Sequence, residues 1–269
     1  MIVVEKRSDL AAAREAMTGR VAVVMTMGAL HEGHAALLRA AARSADSVLA
    51  TVFVNPLQFG PGEDLARYPR TLAADLALCG REGVDVMFTP TPDVVYPDGD
   101  PVVRVSAGRL GEVFEGASRP GHLDGVLTVV LKLMQLTRPD VALFGQKDAQ
   151  QLAAIRCMVR DLDLPVDVVA VPTVRESDGL ALSSRNRYLS SVGRVSARAL
   201  SRALATRDVE TGRAVLAAES GLSTDYFERV DSASFAIDPA GDLLVVAATV
   251  SMTRLIDNLL LTPEGRDLP

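Results

Sequence analysis

The stretch Val21–Leu38, VAVVMTMGALHEGHAALL, decides how this chain is read. Its first six residues, Val21–Thr26, are a largely β-branched apolar run of the length of one buried strand. Gly28 and Gly33 then bracket His31 and His34, and residues 35–42 (AALLRAAA) are built from strong helix formers. The order is strand, glycine-containing turn, helix N-terminus. The first amides of a helix have no intrahelical acceptor, and its dipole adds about half a positive charge there. An oligophosphate suits that environment. The chain has three histidines, and two stand in this His-Glu-Gly-His tetrad. Zinc is the rival for such a pair, but no third ligand cluster accompanies it, and Gly33 fits close approach by a phosphate. Phosphate chemistry is the expectation.

Outward from this stretch, strand and helix patterns alternate. Ser47–Val54 reads as a second strand stopped by Pro56, followed by a turn-rich segment, Gln58–Asp64. Thr71–Arg81 reads as a helix with Thr71 as N-cap and Gly83 beyond its end. Val84–Thr89 is a third strand, and Thr89–Pro101, rich in Pro, Asp and Gly, is expected to be irregular. Gly125–Arg138 carries a helical apolar period ended by Pro139. Val141–Phe144 is a strand, Asp148–Arg160 a helix and Val166–Val171 a strand. This alternation predicts a Rossmann-like, doubly wound parallel sheet, in which ligands gather at the carboxyl ends of the strands. Three polar clusters fall there: His31/His34, Asn55–Gln58 and Gly145–Asp148. Beyond Pro172, Arg194–Glu219 reads as helical, and Tyr226–Val230 and Leu243–Val250 as strands. The expected architecture is α/β, with an N-terminal domain over residues 1–173 and a smaller α+β lid domain over 174–269.

The balance of charge, 28 Lys and Arg against 34 Asp and Glu, gives −6 and argues against a general nucleic-acid surface. Cys79 and Cys157 form no paired motif and read as buried reduced thiols. No apolar run reaches membrane-spanning length, and the N-terminus turns charged after four apolar residues, unlike a signal peptide. A cytoplasmic protein is expected, with neither nucleic acid nor membrane as partner.

Other groups fit the phosphate reading. Lys147, in Gly145-Gln146-Lys147-Asp148, can neutralise a phosphate, while Asp148 can cap the next helix or hold a ribose hydroxyl. Taken alone, both are equally well read as a surface lysine and an N-cap. Leu182-Ser183-Ser184-Arg185-Asn186-Arg187 sets hydroxyls beside guanidiniums, a suitable set for phosphate oxygens. Gln58 and Gln151 are neutral amides suited to hydroxyls or a carboxylate, and Arg119-Pro120-Gly121-His122 reads as a polar turn.

In this order the segments TMGALHEGH (26–34), FVNPLQF (53–59), RPGH (119–122), FGQKDAQQ (144–151) and SSRN (183–186) resemble the pantothenate synthetases, or pantoate–β-alanine ligases. These belong to the His-x-Gly-His (HxGH) nucleotidyltransferase superfamily. The resemblance runs from about Met1 to Asn258. It implies an AMP-forming acid–amino-acid ligase of pantothenate and coenzyme A biosynthesis. Pantoate would attack the α-phosphorus of ATP to give pantoyl adenylate and pyrophosphate, and β-alanine would then displace AMP. It further implies Mg²⁺ bound through the phosphates, a homodimer, and a hinged lid. Carried over residue by residue, Met27, Gly28, Ala29, Leu30, His31, Glu32, Gly33 and His34 would bind ATP, with His34 as proton donor. Gly145, Gln146, Lys147, Asp148, Val174, Leu182, Ser183, Ser184 and Arg185 would also contact the nucleotide. Gln58 and Gln151 would hold pantoate. Charge builds on α-phosphate oxygens in the transition state, where His31, His34, Lys147 and Arg185 could place donors.

The chain departs from the family pattern at Met25 (commonly Pro), Leu123 (Phe), Gln146 (Glu) and Leu182 (Met). Ala74 stands in one half of a common acidic pair, which weakens any metal or pyrophosphate role for Asp75. Two rivals stand beside this reading: another HxGH adenylyltransferase, and a catalytically silent nucleotide-binding scaffold.

Overall fold

The computed structural model describes residues 1–60, 65 and 68–261. Pro61–Asp64 of the expected turn-rich segment, and the tail from residue 262, lie outside the described residues. Among the described residues nine strands run as β1 (Ile2–Val4), β2 (Val21–Thr26), β3 (Ser47–Val52), β4 (Val86–Phe88), β5 (Val141–Gly145), β6 (Asp167–Val171), β7 (Ser223–Val230), β8 (Leu243–Val250) and β9 (Thr253–Leu260). The α-helices are α1 (Arg7–Ala16), α2 (Glu32–Ser44), α3 (Leu72–Arg81), α4 (Pro92–Val95), α5 (Phe114–Ser118), α6 (His122–Thr137), α7 (Ala149–Asp161), α8 (Ser191–Ala197), α9 (Ala199–Ala205) and α10 (Val209–Ala217).

The chain divides into two compact units, residues 1–145 with 154–171, and residues 146–153 with 172–269. The sequence reading cuts the chain once, after Thr173, whereas here Gln146–Ala153 groups with the residues from Pro172 onward.

In the first unit six strands, every pair parallel, lie in the order β1-β4-β3-β2-β5-β6. Strands of such a sheet are covered on both faces, and continuous apolar runs result. Val21, Ala22, Val23 and Val24 of β2 are wholly buried, as are Val141 and Ala142 of β5. Each such valine contributes on the order of 1.5–3 kcal/mol relative to an exposed one. From β2 the chain passes to β3 on one side and later places β5 on the other. The strand order therefore reverses between β2 and β5, and the carboxyl end of β2 opens at a topological switch point. The tetrad of Val21–Leu38 follows that end directly.

In the second unit β7, β8 and β9 form an antiparallel sheet. Its core includes Leu200, Leu204, Leu216, Phe227, Leu244 and Val246.

Several elements differ from expectation. Arg194–Glu219 is not one helix. Arg207 takes φ +58° and stops α9, and Asp208 accepts from the Thr211 amide at 2.8 Å to start α10. Thr71 sits at the N-cap of α3, but its hydroxyl donates to Asp75 instead of capping the backbone. Cys79 is buried as expected, whereas Cys157 is half-buried. Among the described residues no helix is long and apolar enough to cross a membrane.

Candidate active site

His31 is the N-cap of α2, and its Nδ1 accepts the Gly33 amide at 3.2 Å. His34 returns the contact, its Nδ1 accepting the His31 amide at 3.2 Å. The two rings lie 4.2 Å apart between centroids. This is a capping box made of imidazoles, a role usually taken by Ser or Thr with Glu. Because both Nδ1 atoms accept, each neutral ring carries its proton on Nε2. A Cβ at Gly33 would stand 3.0 Å from the His31 ring, tighter than an ordinary contact.

The amides at this terminus are engaged within the chain. Gly28 donates to Thr26 Oγ1, Ala29 and Leu30 donate to Asp75, and His34 donates to the His31 carbonyl. These amides of the expected outward-facing cradle are thus already paired within the chain. Glu32 pairs with Arg39 on the outer side of α2.

Gln58 follows β3 in a short 3₁₀ turn, Pro56–Gln58, and is 8% exposed. Its Oε1 accepts from Asn55 Nδ2 at 3.2 Å. Asn55 is itself held by the Gly125 carbonyl at 3.1 Å and by the Tyr96 hydroxyl at 2.9 Å. Burial raises the Tyr96 hydroxyl pKa well above the ordinary phenol value, so it remains a donor. These contacts orient the Gln58 amide with Nε2 toward Met27 Sδ, 2.9 Å away. A thioether is a weak acceptor, which a carboxylate or hydroxyl oxygen would outcompete. Gly125 permits the close approach of α6, since a Cβ there would stand 2.1 Å from the Leu57 carbonyl oxygen. The Arg119–His122 turn acts on the same residue. Arg119 can only donate, so His122 Nε2 accepts from it at 2.8 Å and Nδ1–H donates to the Gln58 carbonyl at 2.8 Å.

In the second unit the Gln146–Asp148 turn precedes α7, and Gln151 lies half-buried in the first turn of that helix. Asn258 Nδ2 donates to the Gln146 and Lys147 carbonyls, both at 2.9 Å, and thereby pins the turn from β9. Asp257 beside it receives Arg175 bidentately at 2.6 and 3.0 Å. Lys147 Nζ has Asp148 3.7 Å away, a loose contact for a cation. Val174 accepts the Leu182 amide at 2.9 Å, and Arg175 bridges to Ala181, which together bring 174 beside 182–185. Ser183 Oγ caps the Ser184–Tyr188 turn by accepting the Arg185 amide at 3.3 Å. The Arg185 side chain is exposed, and no described carboxylate holds it. Lys147, Ser183, Arg185, Asn186, Arg254 and Asp257 line one small crevice. Gly145 ends β5 in the first unit, one residue before this turn.

Tyr96, Arg175, Asp257 and Asn258 are supporting groups that the sequence reading misses, and Asp75 is one that it considers only for a metal or pyrophosphate role. Tyr96 lies in a segment read as irregular, and Asp257-Asn258 lie beyond Leu243–Val250, the last strand read.

A doubly wound parallel sheet with two imidazoles at its switch point defines a class, the α/β enzymes that bind substrates at the carboxyl ends of their strands. The family model described as pantoate-beta-alanine ligase matches residues 2–260. A pantothenate synthetase of Acidothermus cellulolyticus is 55% identical, over 96% of this chain and 91% of its own. The crystal structure of the Thermus thermophilus pantothenate synthetase superposes with a TM-score of 0.91 at 45% identity, over 98% of this chain and 100% of that one. The Francisella tularensis pantoate-beta-alanine ligase, solved in complex with beta-gamma ATP and beta-alanine, gives 0.84 at 32% identity, over 97% and 98%. The chain belongs to the pantoate-beta-alanine ligase family and is a ligase of pantothenate biosynthesis.

Proposed function

We propose that the chain condenses (R)-pantoate with β-alanine to give pantothenate, using ATP and passing through pantoyl adenylate. The observation that carries this reading is the imidazole capping box, which places a proton on Nε2 of both His31 and His34. A carboxylate oxygen of pantoate forms a bond to the α-phosphorus, and the bond from that phosphorus to the bridging oxygen breaks, releasing pyrophosphate. The neutral amine of β-alanine then attacks the acyl carbon, AMP leaves with the acyl C–O electron pair, and the amine loses one proton. Negative charge grows on phosphate oxygens in the first step, and preset donors stabilise it without reorganising. The imidazoles, with His34 as proton donor, are assigned that work together with Lys147, Ser183 and Arg185. Met27–His34, Gly145–Asp148, Val174 and Leu182–Ser184 complete the nucleotide contacts. Gln58 and Gln151 are assigned to pantoate. The oriented Nε2–H of Gln58 suits an oxygen while leaving the attacking carboxylate unpaired with any cation.

Among the described residues no group of three or more His, Cys, Asp or Glu side chains could hold a metal ion. The Mg²⁺ implied by the resemblance is assigned to the phosphates of the nucleotide. A cytoplasmic homodimer is part of the same reading, and light scattering tests the dimer.

The deciding experiment measures AMP from ATP, pantoate and Mg²⁺, with and without β-alanine, for wild type and His34→Ala. AMP and pantothenate that depend on β-alanine and vanish in the variant support the reading. Pyrophosphate release indifferent to β-alanine would replace it with an adenylyltransferase. ATP binding without turnover would leave a silent scaffold.

A further inference from the structure

Asp75 lies on α3 at 2% exposure, and both its oxygens face the turn that leads into α2. Oδ1 accepts the Leu30 amide at 2.8 Å and Oδ2 the Ala29 amide at 3.1 Å. Thr71 Oγ1 supplies a third donor, 3.2 Å from Oδ1 and 3.3 Å from Oδ2. The turn has an unusual backbone, with Gly28 at φ +84° and Ala29 at φ +52°. Alanine in the left-handed region is uncommon and must be held there by its surroundings. Successive amides in such a conformation converge on one point and make a nest for an anion. Here the anion is the chain's own carboxylate. Even Gly28 is part of the fit, since a Cβ there would lie 3.0 Å from Oδ2. The charge of Asp75 is felt locally: after burial, it is the second cause that pushes the Cys79 thiol up to about 11.

We infer that Asp75 is a positioning residue for the ligase reaction, and that it binds neither metal nor the phosphates of the nucleotide. Its carboxylate fills the Ala29–Leu30 nest, fixes the entry into α2, and so sets where His31 and His34 hold their Nε2 protons. The inference rests on the roles proposed for those histidines. It accounts for Ala74: a carboxylate that serves as an internal clamp needs no acidic neighbour, whereas half of a metal-binding pair does. Asparagine cannot replace it, because one of its two polar ends would set an NH₂ against a backbone N–H.

The test uses the full chain carrying Asp75→Asn or Asp75→Ala, assayed for pantoate-dependent pyrophosphate release. The expected result is a fall in kcat of about a hundredfold, the scale of an ångström-sized misplacement. The Mg²⁺ concentration giving half-maximal rate should stay at the wild-type value. Formate, a carboxylate small enough for the space left by Asp75→Ala, should restore part of the lost rate. In amide NMR spectra the Ala29 and Leu30 protons should move upfield in both variants and return with formate in Asp75→Ala. If Asp75→Ala does not fold, the near-isosteric Asp75→Asn decides through its rate, Mg²⁺ dependence and amide shifts. A wild-type rate in Asp75→Asn would overturn the inference. So would a displaced Mg²⁺ dependence, which would make Asp75 a metal ligand. An inactive wild type would instead refute the ligase reading, while the amide shifts would still show whether the clamp exists.

Discussion

On the proposed reading His31 serves two ends with one ring, and the two can be separated by substitution. Its Nδ1 caps α2 by accepting the Gly33 amide, while Nε2 holds the proton assigned to the phosphate. Asparagine places its Oδ1 near the position of Nδ1 and is among the preferred N-caps, but it does not reach the position of Nε2. His31→Asn should therefore leave the melting temperature within a few degrees of wild type. The same variant should lose about 10²–10³ in the rate of pyrophosphate release, the usual cost of one transition-state donor. Rapid-quench measurement of the first step, beside a thermal melt, reads both quantities. A rate near that of wild type would show that capping is all that His31 does. The same dual use explains what is legible here. His-Glu-Gly-His after an apolar run identifies a helix start, because strand, turn and helix formers are local signals. That the amides are engaged internally is not legible, because the acceptor, Asp75, comes 45 residues after Leu30.

At the scale of elements, β9 shows how a buried polar pair hides a strand. Arg254–Asn258 alternates too weakly to be read as an edge of the sheet, and Asp257 and Asn258 are 4% and 5% exposed where apolar side chains would be expected. Their partners explain the burial: Asp257 holds Arg175, and Asn258 holds the Gln146–Asp148 turn by two carbonyls. No local pattern announces contacts 82 to 112 residues apart. The central strands are legible for the opposite reason, since β2 and β5 are continuous apolar runs buried on both faces. β1 and α1 are hidden from a pattern reading because only Val4 and Leu10 of their residues are buried. Asn258→Asp sets a carboxylate against two carbonyl oxygens and should release the turn that carries Lys147. The expected outcome is a rise of about tenfold in KM for ATP, the equivalent of one or two hydrogen bonds. KM for pantoate should change little. Initial-rate kinetics with each substrate varied in turn reads the difference. Equal changes in both constants would mean that β9 does not act through that turn.

For the molecule as a whole, the two units should respond differently to acid. Among the described residues Glu176, Asp178, Asp208 and Asp231 are held below the ordinary carboxylate range, and each belongs to the second unit. For Glu176 the leading cause is the hydrogen bond from Arg194, which also reaches Asp178 at 3.0 Å. Burial works against ionisation of Asp178, but the Leu180 amide and Arg194 outweigh it. The Thr211 amide lowers Asp208, and the Ser234 hydroxyl lowers Asp231. The sign follows from linkage. A carboxyl that binds its proton less tightly when folded adds stability that is complete above its unfolded pKa, about 4, and is lost as pH falls through the lower folded value. Neutralising Glu176 and Asp178 leaves Arg194 without its anions and loosens the 174–186 segment that bears Ser183 and Arg185. Hydrogen exchange followed by mass spectrometry, corrected for intrinsic rates, should therefore show peptides of β7 and β8 losing protection below about pH 4, before those of β2 and β3. Arg194→Gln should flatten that loss, because the carboxyls then gain less from ionisation in the folded state. If β2 and β3 opened first, the acid-sensitive contacts would have to lie in the first unit, and the Arg194 cluster would be a surface feature with no hold on the loop.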